Sequence, residues 1–262
     1  MKSRLLVLFS AALLVGTFAA CKQKNAEETI ATADTSQNSL DWKGTYVGVM
    51  PCADCEGINI SITLNEDNSY KMERVYLTAE RETFSTEGTF AWDEQGSVIT
   101  LETTEAETYP SVIKVAENKL VLLDKEGKEV AGELAENYIL TKLDENLIEK
   151  YWKLTELEGE PIVYKGEGAK EAFITLRTEG CKVNGNFACN TFGGTYKVKQ
   201  GNKLSFSQMF STMMMCPNMD IESKFNKALQ KVDSYTVDVD ADILTFYDVD
   251  MNPVAKFAAV YM

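Results

Sequence analysis

The chain has 262 residues, 45% of them hydrophobic, with 40 acidic residues against 26 basic ones and no histidine. That length allows one or two domains with real cores, and a formal charge of -14 opposes phosphate backbones and anionic headgroups, so nucleic acid is not expected as a partner. Without imidazole, Ser-His-Asp and Cys-His catalysis, the zinc-protease helix and every histidine metal site are excluded, and the chain is not read as an enzyme.

Lys2 and Arg4 precede an apolar run from Leu5 to Phe18, followed by Ala19, Ala20 and Cys21. The run is too short to span a bilayer with margin and reads as a cleaved export signal over residues 1–20. Small residues directly before Cys21 mark it for lipidation, which makes the membrane a partner through an N-terminal anchor. Cleavage after Ala19 would instead release a soluble periplasmic protein. With Lys22 rather than an acidic residue directly after Cys21, the expected address is the outer membrane, facing the periplasm. Residues 21–40 are polar and lack apolar periodicity, as in a flexible tether spanning roughly 25 Å.

From residue 41 to 143 short alternating runs follow one another. Ile58, Ile60, Ile62 and Leu64 share a face, as do Tyr70, Met72 and Tyr76, and Phe84, Phe90 and Trp92 form a third run. Others lie at Val98 to Leu101, Ser111 to Val115, Leu120 to Leu123 and Tyr138 to Leu140, with turn signals at Asn65 to Asn68, Gln95-Gly96, Glu117-Asn118 and Glu126-Gly127. About eight strands with no helical period between them predict a closed antiparallel β-barrel. Residues 144–150 are read as a linker. The second unit, 151–262, has strand-like runs at 173–176, 194–198, 204–206, 235–239, 243–247 and 254–260, and one helix with Ile221, Phe225, Ala228, Leu229 and Val232 at helical spacing, capped by Asp220. The fold class is mostly β, with one packed helix.

Gly44 to Leu64, with Pro51-Cys52-Ala53-Asp54-Cys55 and then Gly57-Ile58, resembles the NlpE N-terminal domain. The second unit resembles a META domain of the HslJ type, through Trp152-Lys153-Leu154, Gly185, Cys189-Asn190, Gly193, Tyr196, Met209, Ser211-Thr212, Met214, Cys216, Glu222, Phe225, Ala228 and Leu229. These resemblances imply an envelope lipoprotein with a lipocalin-like first barrel, linked to copper resistance and envelope stress, and possessing no catalytic residues. They also imply a Cys189–Cys216 disulfide, since both are motif positions. A membrane sensor kinase is the expected signalling partner.

Of the six cysteines, lipidation of Cys21 leaves five. Cys52 and Cys55 admit three readings: a disulfide clamping a turn, a copper(I) site of two thiolates, or thiol exchange. The flanking Asp54 and Glu56 oppose thiolate formation and hence exchange. Cys181 competes for Cys189, but a two-residue hairpin at Asn184-Gly185 would turn Cys189 to the other face and leave Cys181 unpaired. Met209, Met213, Met214, Met215 and Met219 around Cys216 read as core packing, with a copper(I) site at Met213, Met214 and Met215 as the sharper alternative. Asp238, Asp240 and Asp242 mimic a calcium loop but lack its Gly and Glu, and Asp248, Asp250 and Asn252 fail at Pro253. Ser111 and Lys114 form S-x-x-K on a strand without a Lys-Thr-Gly partner. The function expected is sensing of envelope stress, copper or redox state through Cys52-x-x-Cys55. The rival is a carrier whose barrel encloses a small apolar ligand.

Overall fold

The computed structural model describes residues 34–78, 80, 82–102, 111–166 and 169–261. The signal segment and Cys21 lie outside them.

The first barrel is an antiparallel meander. Its strands are β1 (Gly44–Met50), β2 (Ile58–Leu64), β3 (Ser69–Tyr76), β4 (Thr83–Trp92), β5 (Val98–Glu102), β6 (Val112–Ala116), β7 (Lys119–Leu122) and β8 (Ile139–Lys142). Each pairs with the next, and β8 returns to β1 at Tyr46↔Lys142 and Val47↔Thr141, which closes the sheet and leaves no edge. Alternation decides what points inward: Ile60, Ile62 and Leu64 of β2 are buried, as are Ile99 and Leu101 of β5. The turns fall where Asn68, Gly96, Asn118 and Gly127 adopt positive φ, the conformation that Asn and Gly accept most readily.

The barrel is filled by its own side chains. Tyr46, Ile60, Ile62, Leu64, Tyr70 and Met72 are among the largest fully buried groups, and they occupy the volume a carrier ligand would need. Trp42 closes one end, its ring edge-on to Phe90 at 5.8 Å and to Trp92 at 5.5 Å.

The tether reading is corrected at its far end. Thr35 caps the one-turn helix α1 (Ser36–Ser39), and these residues are docked on the barrel: Ser36 Oγ donates to Val115 O at 2.8 Å, Gln37 N–H to Gly96 O at 3.0 Å, and Trp42 Nε1 to Gln37 O at 3.1 Å. Polar sequence concealed this because the contacts are hydrogen bonds, which leave no apolar period.

The second barrel uses β9 (Tyr151–Leu157), β10 (Glu160–Pro161), β11 (Ala172–Leu176), β12 (Lys182–Phe187), β13 (Thr191–Lys199), β14 (Lys203–Phe206), β15 (Phe210–Ser211), β16 (Ser234–Asp238), β17 (Ile243–Tyr247) and β18 (Pro253–Val260). Eight of these close a ring in the order β9-β11-β12-β13-β14-β16-β17-β18, with β18 back on β9; β10 and β15 are short additions. Helix α2 (Met219–Lys231) touches β9, β12, β14 and β18 and so lies across the barrel mouth. Its Phe225 meets Phe187 edge-on at 5.3 Å and Phe257 at 5.8 Å.

Residues 144–150 are not a loose linker. Leu147 is fully buried in the second core, Trp152 Nε1 donates to Leu147 O at 2.8 Å, and Glu149 accepts from Arg177 Nη1 at 2.8 Å and from the Thr178 N–H at 2.6 Å. Burial pushes the Glu149 carboxyl up, but these bonds together outweigh it and hold it below the ordinary carboxylate range.

Candidate functional site: two disulfide loops and a methionine segment

Residues 51–57 connect β1 to β2, and Cys52 and Cys55 are joined there by a disulfide, with Cα atoms 5.3 Å apart. Both cysteines are only half-buried, while Ala53, Asp54 and Glu56 are exposed. The loop is stitched to the residue after β3: Leu77 N–H donates to Gly57 O at 2.9 Å, and Glu56 N–H to Leu77 O at 3.4 Å. These bonds extend the β2–β3 ladder beyond Ile58↔Tyr76. Gly57 has no room for a side chain, since a Cβ would lie 2.8 Å from Val49 Cγ1. The bridge therefore sits on the surface at a barrel end, open to a reductant and coupled by backbone bonds to the β3–β4 connection.

The second disulfide joins Cys189 to Cys216, Cα to Cα 5.9 Å. The hairpin expected at Asn184-Gly185 is absent. Both residues lie inside β12, where Gly185 pairs with Ile174 and Phe192 and is overlain by the Phe192 ring. The turn falls instead at residues 188–190, where Ala188 has φ 85° and its N–H donates to Asn186 Oδ1 at 2.8 Å. Asn-Gly signals a turn by its backbone freedom, but here the glycine serves close packing. Cys181 precedes β12 and Cys189 follows it, so six strand residues, roughly 20 Å, keep them apart. Cys181 is a free thiol packed against the second core. Burial pushes it up to about 12, against the lowering effect of its hydrogen bond with Tyr196.

Next to Cys189 stands Asn190, buried and fully engaged. Its Oδ1 accepts from Met214 N–H at 2.7 Å and Thr212 Oγ1 at 2.8 Å; its Nδ2 donates to Met214 O at 3.1 Å and Glu222 Oε1 at 3.1 Å; its N–H donates to Glu222 Oε2 at 3.0 Å. One amide thus ties the segment before Cys216 to the first turn of α2. Asn190, Thr212 and Glu222 are motif positions to which the sequence assigns no role. Their spacing gave no sign of contact, because it spans 22 and 32 residues and is closed only by the fold.

Core packing is corrected for the central methionines. Met213 is 96% exposed and Met215 95%, while Met214 is 44% and Met219 37% exposed; Met209 alone packs against the core. The backbone of this stretch is held by Asn190 and the disulfide, so its side chains are not needed inside. The helix cap is also corrected. Asn218 occupies the cap position, but its amide is used on Lys165, accepting from the N–H at 2.7 Å and donating to the carbonyl at 3.1 Å. Asp220 lies in the first turn and pairs with Lys165 Nζ at 2.7 Å.

The remaining motifs are turn chemistry. Asp238 Oδ1 accepts from Ala241 N–H at 3.0 Å, and Asp248 Oδ1 from the N–H groups of Asp250 and Asn252 at 3.0 and 2.8 Å. Lys114 pairs with Glu129. Among the described residues no group of three or more His, Cys, Asp or Glu is placed to hold a metal ion, and no helix is long and apolar enough to cross a membrane. A hollow of about 610 Å³ is lined mostly by polar groups including Asp41, Lys142, Asp144, Asn202 and Tyr235.

Two eight-stranded antiparallel barrels in tandem, each with a disulfide in a connection at its end, define a class of two-domain β-protein. Residues 46–133 match the NlpE N-terminal domain family and residues 145–261 the META domain family; the chain carries an NlpE N-terminal domain followed by a META domain. It is similar to Lipoprotein NlpE of Escherichia coli (strain K12), 28% identical over 149 residues, which are 56% of this chain and 60% of that protein. The chain thus spans less than two thirds of that relative. Among solved structures it is similar to a putative lipoprotein from Shewanella oneidensis, 49% identical over 42% of this chain and 95% of that one, with a TM-score of 0.38. It is also similar to the Cpx pathway activator NlpE from Escherichia coli, 18% identical over 83% of this chain and 92% of that one, with a TM-score of 0.30.

Proposed function

We propose that this chain is a lipid-anchored, non-catalytic envelope stress sensor, held to the outer membrane through Cys21, in which the Cys52–Cys55 bridge is the input. The observation that carries this reading is the stitching of the disulfide loop to Leu77: a change at the sulfurs bears on the backbone bonds that fix the β3–β4 connection. Reduction by an external dithiol breaks the S–S bond, delivers two electrons and two protons to give two thiols, and leaves the reductant as a disulfide. The released pair is also a soft-metal ligand set, suited to copper(I). Either event acts as a signal only if a partner has different affinity for the two states, and a membrane sensor kinase is the partner this reading names. The match to the NlpE N-terminal domain family and the similarity to Lipoprotein NlpE support the direction of the reading.

The test is an envelope-stress reporter in cells that express the full chain or its Cys52→Ser/Cys55→Ser variant at equal level. A response to reductant or copper that disappears in the variant supports the mechanism; an undiminished response ends it.

A further inference from the structure

We propose that the extended segment Met213–Met215 of the META domain is a soft-cation site in which the thioethers of Met213 and Met215 chelate one copper(I) or silver(I) ion. The site is distinct from Cys52 and Cys55 and does not depend on the function proposed for them.

Both side chains are almost wholly exposed, at 96% and 95%. Large apolar groups are left in water at a cost, roughly 2 kcal/mol for each side chain that burial would have gained. The surroundings did not lack an alternative use for them, because Met209 in the same segment does pack inward. What fixes the segment is its backbone. Met214 has both its N–H and its C=O held by Asn190, Thr212 N–H donates to Thr191 O at 3.1 Å, and Cys216 is tied by its disulfide to Cys189. The side chains on either side of Met214 are therefore free to serve something outside the fold.

One amide, that of Asn190, pairs with both the N–H and the C=O of Met214, which an extended residue presents on one side; in an extended chain, residues two apart point the same way and their Cα atoms lie roughly 7 Å apart. Flexible thioether arms on such a pair can converge on one ion without moving the backbone, and the rigid backbone lowers the ordering cost of binding. Thioethers are soft, neutral donors, which select copper(I) and its redox-inert analogue silver(I) over zinc, calcium or magnesium. Having no proton to lose, they bind over a pH range in which thiolate or carboxylate sites weaken. No electron transfer is involved: two sulfur lone pairs are donated and the ion keeps its oxidation state.

Among the described residues the competing thiol is that of Cys181, separated from this segment by the length of β12. The experiment therefore uses the full chain with Cys181→Ser and both disulfides oxidised, verified by mass. It is titrated with silver(I), and with copper(I) against a competing chelator, and read by native mass spectrometry and methionine methyl resonances. Expected are one equivalent bound, shifts confined to Met213 and Met215, and equal affinity at pH 5.5 and pH 7.5. Met213→Leu or Met215→Leu removes one arm and should weaken binding about 100-fold, whereas Met219→Leu should leave it unchanged. As these side chains are exposed, unfolding midpoints should not move. No binding, binding that survives the Met213→Leu/Met215→Leu variant, or affinity that falls with acid would overturn the assignment.

Discussion

In the first barrel the Cys52–Cys55 bridge closes a sequence separation of 3 in a loop tied by backbone bonds to Leu77. In the second barrel the Cys189–Cys216 bridge spans a separation of 27, Cys189 is fully buried, and the adjoining Asn190 ties the same segment to α2. Chain-entropy scaling gives the short bridge about 2 kcal/mol and the long one about 3.5 kcal/mol. Two barrels of equal strand number thus place cysteine pairs to different ends. One is half-buried in an exposed loop held by backbone bonds; the other is embedded in a structural clamp. The barrels begin alike, since in each an indole N–H is anchored to a carbonyl five residues upstream, Trp42 on Gln37 and Trp152 on Leu147.

The comparison breaks first at the long bridge. Cys189→Ala/Cys216→Ala should lower unfolding free energy by about 3.5 kcal/mol in urea, and a loss no larger than that of the short bridge would refute the contrast. Asn190→Ala, with the bridge intact, should cost about 3 kcal/mol and accelerate amide exchange at Met214. A change confined to stability, with the Met214 amide still protected, would mean that the clamp is not what holds the segment. Cys52→Ala/Cys55→Ala should cost about 2 kcal/mol or less, with exchange rising at Leu77 and little elsewhere.

The smallest effect is a pH dependence. The folded state raises the Cys181 thiol to about 12 from a model-compound 9.0. As pH rises above 9 the unfolded chain therefore loses its proton first, and stability falls until the folded thiol also ionises. Between pH 8 and pH 10 the loss should be about 1 kcal/mol, and Cys181→Ala should abolish it; an identical slope in the variant would place the titration elsewhere.

Much of the fold could be read directly. The period-two runs of the first barrel give seven of its eight strands within a residue or two, β1 lying only within the segment of the NlpE resemblance, because its hydrophobic positions alternate and its turns carry Asn or Gly at positive φ. The second barrel was harder. β12 was hidden because Asn184, Gly185 and Asn186 resemble a turn, although the strand needs a small residue where Phe192 crosses it. The buried Asn186 and Asn190 carry no hydrophobic signal either, so a polar stretch proved to be interior.

The sequence alone determined the mostly β class, the exclusion of imidazole chemistry, the helix position and the separation into two units, because these follow from local periodicity and composition. Tertiary structure alone decided that the second sheet closes, that residues 35–40 and 144–150 are packed, that β12 rather than a hairpin separates Cys181 from Cys189, and that Met213 and Met215 face water. Each of these depends on contacts between residues far apart in the chain. Such contacts are fixed by which strand returns to which, and no local pattern encodes that.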